Sequence, residues 1–263
     1  MSKIQDQDQL TRKRFWILDL GFWIISRYLS RVLDAIADPG EFTMKQIKLE
    51  QKILTRNDII AEQVREIFRT RGIAVFNMVS SPGSGKTSLL EVTLEELSKD
   101  LSIAVIEGDI QTQNDAKRIA KTGVPVHQIN TGGACHLEAL MIKDALENFD
   151  LDSTDLMVIE NVGNLVCPSA FDLGEGARVV LISVTEGDDK PLKYPAMFHT
   201  SDVLVINKMD LLPYTDFSVK QVIQNARSLK PDIHIIKTSC RTGDGLEDWM
   251  DWVRDFVSDS KSV

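Results

Sequence analysis

The sequence predicts an α/β fold: a mostly parallel sheet of about seven strands flanked by helices, with one helix leading into it. Two observations predict it. Seven short runs rich in Val and Ile are apolar throughout rather than alternating, as strands covered on both faces must be. Helical patterns lie between several of these runs, the order that builds crossover units on a parallel sheet. The 263 residues, 43% of them hydrophobic, suffice for one good core, and neither an internal repeat nor a second core is visible.

Residues 1–43 read as an N-terminal extension. Their apolar stretch, Phe15 to Leu29, is interrupted by Asp19, Gly21 and Arg27. It falls short of the roughly 18–20 apolar residues of a spanning helix, so no membrane association is expected. Arg12, Lys13 and Arg14 resemble the basic start of an export signal, but no small-residue cleavage site follows cleanly. The extension reads as an amphipathic appendage, or as upstream sequence before a first residue at Met44; the break falls at Asp38-Pro39-Gly40. A globular part is expected over 44–263. It opens with a helix over 45–71, where Ile53, Ile59, Ile60, Val64, Ile67 and Phe68 recur at helical spacing and Gly72 supplies the stop. The strand candidates follow at 73–81, 102–109, 124–130, 156–163, 178–187, 203–210 and 233–240.

Thirty basic against 39 acidic residues give a formal charge of −9, so no general basic field exists to bind nucleic acid. Three cysteines form no disulfide framework and suit a reducing, cytoplasmic setting. Each becomes a question about metal.

The first motif with chemistry is Ser80-Ser81-Pro82-Gly83-Ser84-Gly85-Lys86-Thr87, placed between a buried strand and a helix. Glycines let the backbone wrap a phosphate with N–H groups inward, Lys86 reaches the outer phosphates, and the Thr87 hydroxyl can ligate magnesium. This is a P-loop, from Pro82 through Ser88, with Ser80 where the common pattern has glycine. Asn207-Lys208-Met209-Asp210 ends a later strand and suits guanine. A carboxylate at 210 accepts from the base's N1–H and 2-amino group, which adenine cannot supply; the Lys208 stem can cover the base and Asn207 can fix the loop. Ser239 and Cys240, at the end of the last strand, complete the base pocket. Together the two motifs predict GTP rather than ATP. Asp109 and Glu160 end two strands on the ligand side, where carboxylates reach a magnesium ion or its waters. With Lys86 they are the candidate catalytic groups. Glu107 and Asp115 are read equally well as a solvated strand end and a helix N-cap.

Cys135-His136, in NTGGACHLEA, and Cys167, in ENVGNLVCP, offer the thiolates and imidazole that zinc and nickel prefer. From spacing alone two readings stay open, metal ligation or two buried cysteines with a surface histidine. Three ligands are too few for a closed structural site in one chain, whereas a dimer, or a loosely held transferable ion, accommodates three.

SSPGSGKT, EGDIQTQNDAKRI, INTGGACHLEA, ENVGNLVCP, EGDDKPLKYPAMF and NKMDLLPY together resemble the HypB family, the nickel-incorporation GTPases of nickel–iron hydrogenase maturation. The resemblance runs from about Met44 to Phe256, and Ser80 is normal within it. It implies a P-loop NTPase fold, GTP hydrolysis with magnesium, and a nucleotide-dependent homodimer; with no activating Arg or Gln marked near the phosphates, hydrolysis is expected to be slow. It also implies a nickel or zinc site formed by Cys135, His136 and Cys167 at the subunit interface, a HypA-type partner metallochaperone, and delivery to the hydrogenase large subunit. A sister family, the urease accessory GTPases, carries Cys-Pro-His where this chain has Cys135-His136. Two departures stand out: residues 1–72 contain neither Cys nor His, so the N-terminal nickel store of some members is not expected, and the Phe15 to Leu29 segment is foreign to the family.

Overall fold

The computed structural model describes residues 39–109 and 114–261, and the apolar segment from Phe15 to Leu29 lies outside them. Helix α1 spans Pro39–Arg71. It starts earlier than the expected 45 because proline is compatible with a first helical turn, where its missing N–H would have no partner anyway. The compact unit is Leu54–Val263, and its division from residues 1–53 falls inside α1.

All seven expected strands form: β1 Ala74–Ser80, β2 Ile103–Asp109, β3 Val126–Asn130, β4 Leu156–Glu160, β5 Ala177–Ser183, β6 Val203–Asn207 and β7 His234–Lys237. Every pairing is parallel, in the order β3-β2-β4-β1-β5-β6-β7. Several strands stop short of the apolar runs that predicted them, because the run ends turn outward into loops that carry polar side chains. β4 stops at Glu160, and β6 stops where Lys208 takes a left-handed φ of 61°.

Helices cover both faces: α2 Lys86–Leu97, α3 Asn114–Ala120, α4 Ala139–Ala145, α5 Lys190–Lys193, α6 Pro195–Thr200, α7 Val219–Leu229 and α8 Leu246–Ser260. One core joins Phe76 and Met78 of β1 to Leu90 and Leu94 of α2 and to Trp249 of α8. On the opposite face Val75, Met157 and Ile159 pack with Val64 and Phe68 of α1 and Ile142 of α4. The chain runs outward from β1 to one edge of the sheet, then returns across it to reach β5. The carboxyl end of β1 is therefore the switch point of the sheet, where a ligand crevice opens.

Candidate functional site

A cavity of about 570 Å³ occupies that crevice, lined by the loop after β1 and by Glu107, Asp109, Asp115, Arg118, Gly163 and Lys208. Gly85 holds a φ of +100° immediately before α2, and a Cβ there would collide with the Asn207 amide. Only glycine permits that approach, which ties the two motifs together. Asn207 Nδ2 donates to the Ser84 carbonyl at 3.0 Å, and Lys208 Nζ donates to the Gly83 carbonyl at 2.6 Å. Ser239 Oγ donates to Asp210 Oδ1 at 2.7 Å, orienting the carboxylate, while Cys240 Sγ lies 3.7 Å from Asn207 Oδ1. Burial pushes the Cys240 thiol up, as expected of a packing residue rather than a nucleophile.

On the phosphate side, Lys86 Nζ and Thr87 Oγ1 both donate to Glu160 Oε1, at 2.8 and 2.7 Å. Glu160 Oε2 is buried without a partner, as is Glu107 Oε2. Parallel register sets Glu107 beside Glu160. Far from being a solvated strand end, Glu107 is 2% exposed, and burial, then the charges of Glu160 and Asp109, push its pKa up to about 8. Two unpartnered carboxylate oxygens beside a threonine hydroxyl are a hard-oxygen donor set that suits magnesium. Asp115 lies in the first turn of α3, 3.4 Å from Arg118.

Glu186, Lys190 and Arg118 carry no role in the sequence reading. Glu186 Oε1 accepts from Ser84 Oγ at 2.5 Å, and Lys190 Nζ donates to Ser81 Oγ at 2.9 Å and pairs with Glu186 at 2.7 Å. Burial opposes ionisation of Glu186, but Lys190 and the two serine hydroxyls outweigh it and hold its pKa below the ordinary range. The pair thus buttresses the phosphate loop from the connection after β5, the strand paired with β1. Arg118 forks onto Glu91 at 2.9 and 2.5 Å and donates to Ser88 Oγ at 3.1 Å. Two charges four residues apart in TEGDDK were the signal for Glu186 and Lys190. Locally Arg118 shows only its i,i+3 pairing with Asp115; its shorter contacts, to Glu91 and Ser88, lie on another helix.

Cys135, His136 and Cys167 converge: their ligand atoms all lie within 4.8 Å of one another. Among the described residues no other group of three His, Cys, Asp or Glu side chains meets in this way. Cys135 Sγ donates to Cys167 Sγ at 2.6 Å and lies 3.7 Å from His136 Nδ1. The hydrogen bond to Cys167, then burial, raises the Cys135 pKa, so a thiol proton must leave before a metal binds. His136 is not a surface histidine. Its ring stacks on Phe171 with centroids 3.8 Å apart, and burial lowers its pKa against the pull of Glu138, keeping a neutral ring nitrogen available as ligand.

The two sites touch. Asn161, one residue after Glu160, accepts from the Leu137 amide at 3.3 Å, and Asn164 Nδ2 donates to the Cys135 carbonyl at 3.3 Å.

Fold and pocket together define the class: a P-loop nucleotide hydrolase with a thiol–imidazole cluster beside its phosphate loop. The family model described as "CobW/HypB/UreG, nucleotide-binding domain" matches residues 74–237. Hydrogenase maturation factor HypB of Azotobacter vinelandii is 53% identical over 215 residues, covering 82% of this chain and 71% of the relative. The Escherichia coli K12 factor of the same name is 50% identical, with 82% and 74% covered. The crystal structure of HypB from Helicobacter pylori in complex with nickel aligns with a TM-score of 0.75 at 44% identity, over 78% of this chain and 97% of that one. The chain belongs to the HypB family.

Proposed function

We propose that this protein is a GTP-hydrolysing metallochaperone that binds nickel, with zinc as the alternative ion, at Cys135, His136 and Cys167. In this reading it receives the ion from a HypA-type metallochaperone and assists its insertion into the large subunit of a nickel–iron hydrogenase. It works in the cytoplasm as a nucleotide-dependent homodimer whose interface completes the three-ligand set. The globular GTPase is residues 44–263, preceded by an N-terminal extension over 1–43. The observation that carries the reading is the meeting of two thiols and an imidazole beside the nucleotide pocket.

In that pocket Asp210, oriented by Ser239, reads guanine, and Lys208 covers the base. Lys86, which lines the pocket and pairs with Glu160 at 2.8 Å in the nucleotide-free protein, turns to the outer phosphates. Thr87, Asp109 and Glu160 would hold magnesium, which when bound neutralises phosphate charge. Hydrolysis is slow, because Arg118 is committed to Glu91 and Ser88 rather than aimed at the phosphates. Nucleotide state reaches the metal ligands through Asn161 and Asn164, whose amides join the loop after β4 to the loop of Cys135.

The test is nickel stoichiometry and oligomeric state of the purified protein with and without a non-hydrolysable GTP analogue. A dimer with the analogue, and nickel bound per protein changing with nucleotide, are expected. Nickel binding that ignores Cys135→Ala and Cys167→Ala alike would overturn the reading.

A further inference from the structure

Helix α1 packs on the core through a stripe at helical spacing, Ile60, Ala61, Val64 and Phe68. One turn earlier, on the same stripe, stands Asn57. An amide occupies a position the pattern assigns to an apolar side chain, and it is 4% exposed. Buried amides are costly unless bonded, and Asn57 is bonded at both ends. Its Oδ1 accepts from the Ala139 N–H at 2.9 Å, and its Nδ2 donates to the Asp172 carbonyl at 2.8 Å.

Both partners belong to segments that carry candidate metal ligands. Ala139 opens α4, three residues after His136, and the residue before it, Glu138, makes no side-chain cap. Asn57 therefore satisfies an N–H of the first turn from 82 residues away in sequence. Asp172 follows Phe171, the ring on which His136 stacks, and both directly follow the short 3-10 helix Cys167–Ala170. The same strand of backbone is gripped twice more from α1. Arg65 forks onto the Asp172 carboxylate at 2.8 and 2.6 Å, and Gly174, at φ +82°, lies so close that a Cβ would come within 2.8 Å of the Ala61 carbonyl.

We propose that Asn57 is a positioning residue for the metal site: its amide bridges the Cys135–His136 loop to the segment after Cys167 and holds the three ligands at ligating distance before an ion arrives. The proposal rests on reading Cys135, His136 and Cys167 as the metal site. An amide suits the task because a single planar group supplies one acceptor and one donor at fixed separation, spacing two backbones as a rung does. The other side-chain links between the two segments are the thiol pair, the stack of His136 on Phe171, and the Asn161 and Asn164 amides, all of which lie on the segments themselves; Asn57 alone of these reaches both from a separate helix. Preorganised ligands bind more tightly than ligands that must be gathered, and supporting contacts around a metal typically affect affinity by about 10–100-fold.

The experiment uses the full chain. Asn57→Leu restores the apolar stripe but leaves Ala139 and Asp172 unbridged. Asn57→Asp keeps the acceptor for Ala139 and loses the donor to Asp172. Val64→Ala is the control: it loosens the same stripe while keeping the Cβ that faces Gly174 and both hydrogen bonds of Asn57. Nickel affinity is measured by competition with a chromophoric chelator, and thiolate ligation by the sulfur-to-cobalt charge-transfer band of the Co(II) form. Guanine nucleotide affinity and melting temperature are recorded alongside. Asn57→Leu is expected to weaken nickel binding by about 10–100-fold and to reduce the cobalt band toward one thiolate per ion, with nucleotide affinity within about twofold of wild type. Val64→Ala is expected to lower the melting temperature and keep both the band and nickel affinity. Should Asn57→Leu fail to fold, Asn57→Asp decides by the same two readouts. Wild-type affinity and band in a folded Asn57 variant overturn the bridge, and so does an equal loss in Val64→Ala, which would make binding follow stability. A wild-type protein with no thiolate band, unaffected by Cys167→Ala, overturns instead the reading of the triad itself.

Discussion

The phosphate loop and the thiol cluster sit on neighbouring loops and are built in opposite ways. From Ser80 to Thr87 the ligand groups are contiguous, and the backbone conformation that aims them is written into the same residues, with Gly85 at φ +100° feeding directly into α2. Cys135 and Cys167 are 32 residues apart, and their segments are joined by Asn57 on α1, by Asn161 and Asn164 in the loop leading to Cys167, and by the stack of His136 on Phe171. A contiguous site tolerates changes in its surroundings, whereas an assembled site depends on its scaffold. The two regions should therefore fail independently when a ligand is removed, and unequally when a support is removed.

Breaking the phosphate loop should give the largest effect. Lys86→Ala is expected to lower GTP hydrolysis by at least about 100-fold, since it removes the cation that meets the outer phosphates. It should also destabilise the nucleotide-free protein by roughly 3–5 kcal/mol, because Glu160, 1% exposed, loses its buried partner. Single-turnover hydrolysis and denaturant unfolding check these, and nickel binding in the absence of nucleotide should survive. If it does not, the two regions are not separable.

The converse change is Cys167→Ala. Nickel affinity is expected to fall by at least about tenfold, while basal GTP turnover without metal stays within about twofold of wild type. Isothermal titration and a phosphate-release assay measure both. A matching loss of turnover would mean that the thiol pair also holds the nucleotide loops in place.

Asp210→Asn sharpens the base side of the comparison. The amide supplies a donor that suits the 2-oxo group of xanthine, so the ratio of GTP to xanthosine triphosphate affinity should fall by about 10–100-fold, with phosphate contacts and nickel binding unchanged. Competition with a fluorescent nucleotide reads it directly.

The last prediction concerns Glu107 and is spread over several pH units. Its folded pKa of about 8 stands above the ordinary carboxylate value of 4.5, so the folded protein holds a proton that the unfolded chain has released. Stability of the nucleotide-free protein is full below the ordinary carboxylate range and falls as pH rises from there through about 8, by at most about 1.4 kcal/mol per pH unit. Thermal melts across that range should show the decline in wild type and lose it in Glu107→Gln. Magnesium and nucleotide should flatten it as well, by giving the carboxylate pair a cation.

The sequence by itself determined the sheet, because a parallel strand buried on both faces must be apolar along its length, and seven such runs give seven strands. It determined the phosphate and base loops too, since each is a short segment whose turn chemistry and ligands coincide. Tertiary structure decided whatever depended on neighbours distant in the chain. Glu107 reads locally as a strand-end carboxylate; its burial, and then the register beside Glu160, push its pKa up. Arg118 reads as a helix-surface charge until α3 lies against Glu91 of α2. Asn57 is visible in the sequence as a polar break in an apolar stripe, but its partners are 82 and 115 residues away. Two thiols and an imidazole come within 4.8 Å of one another only when backbones from separate crossovers are fixed side by side, and no local spacing encodes that distance.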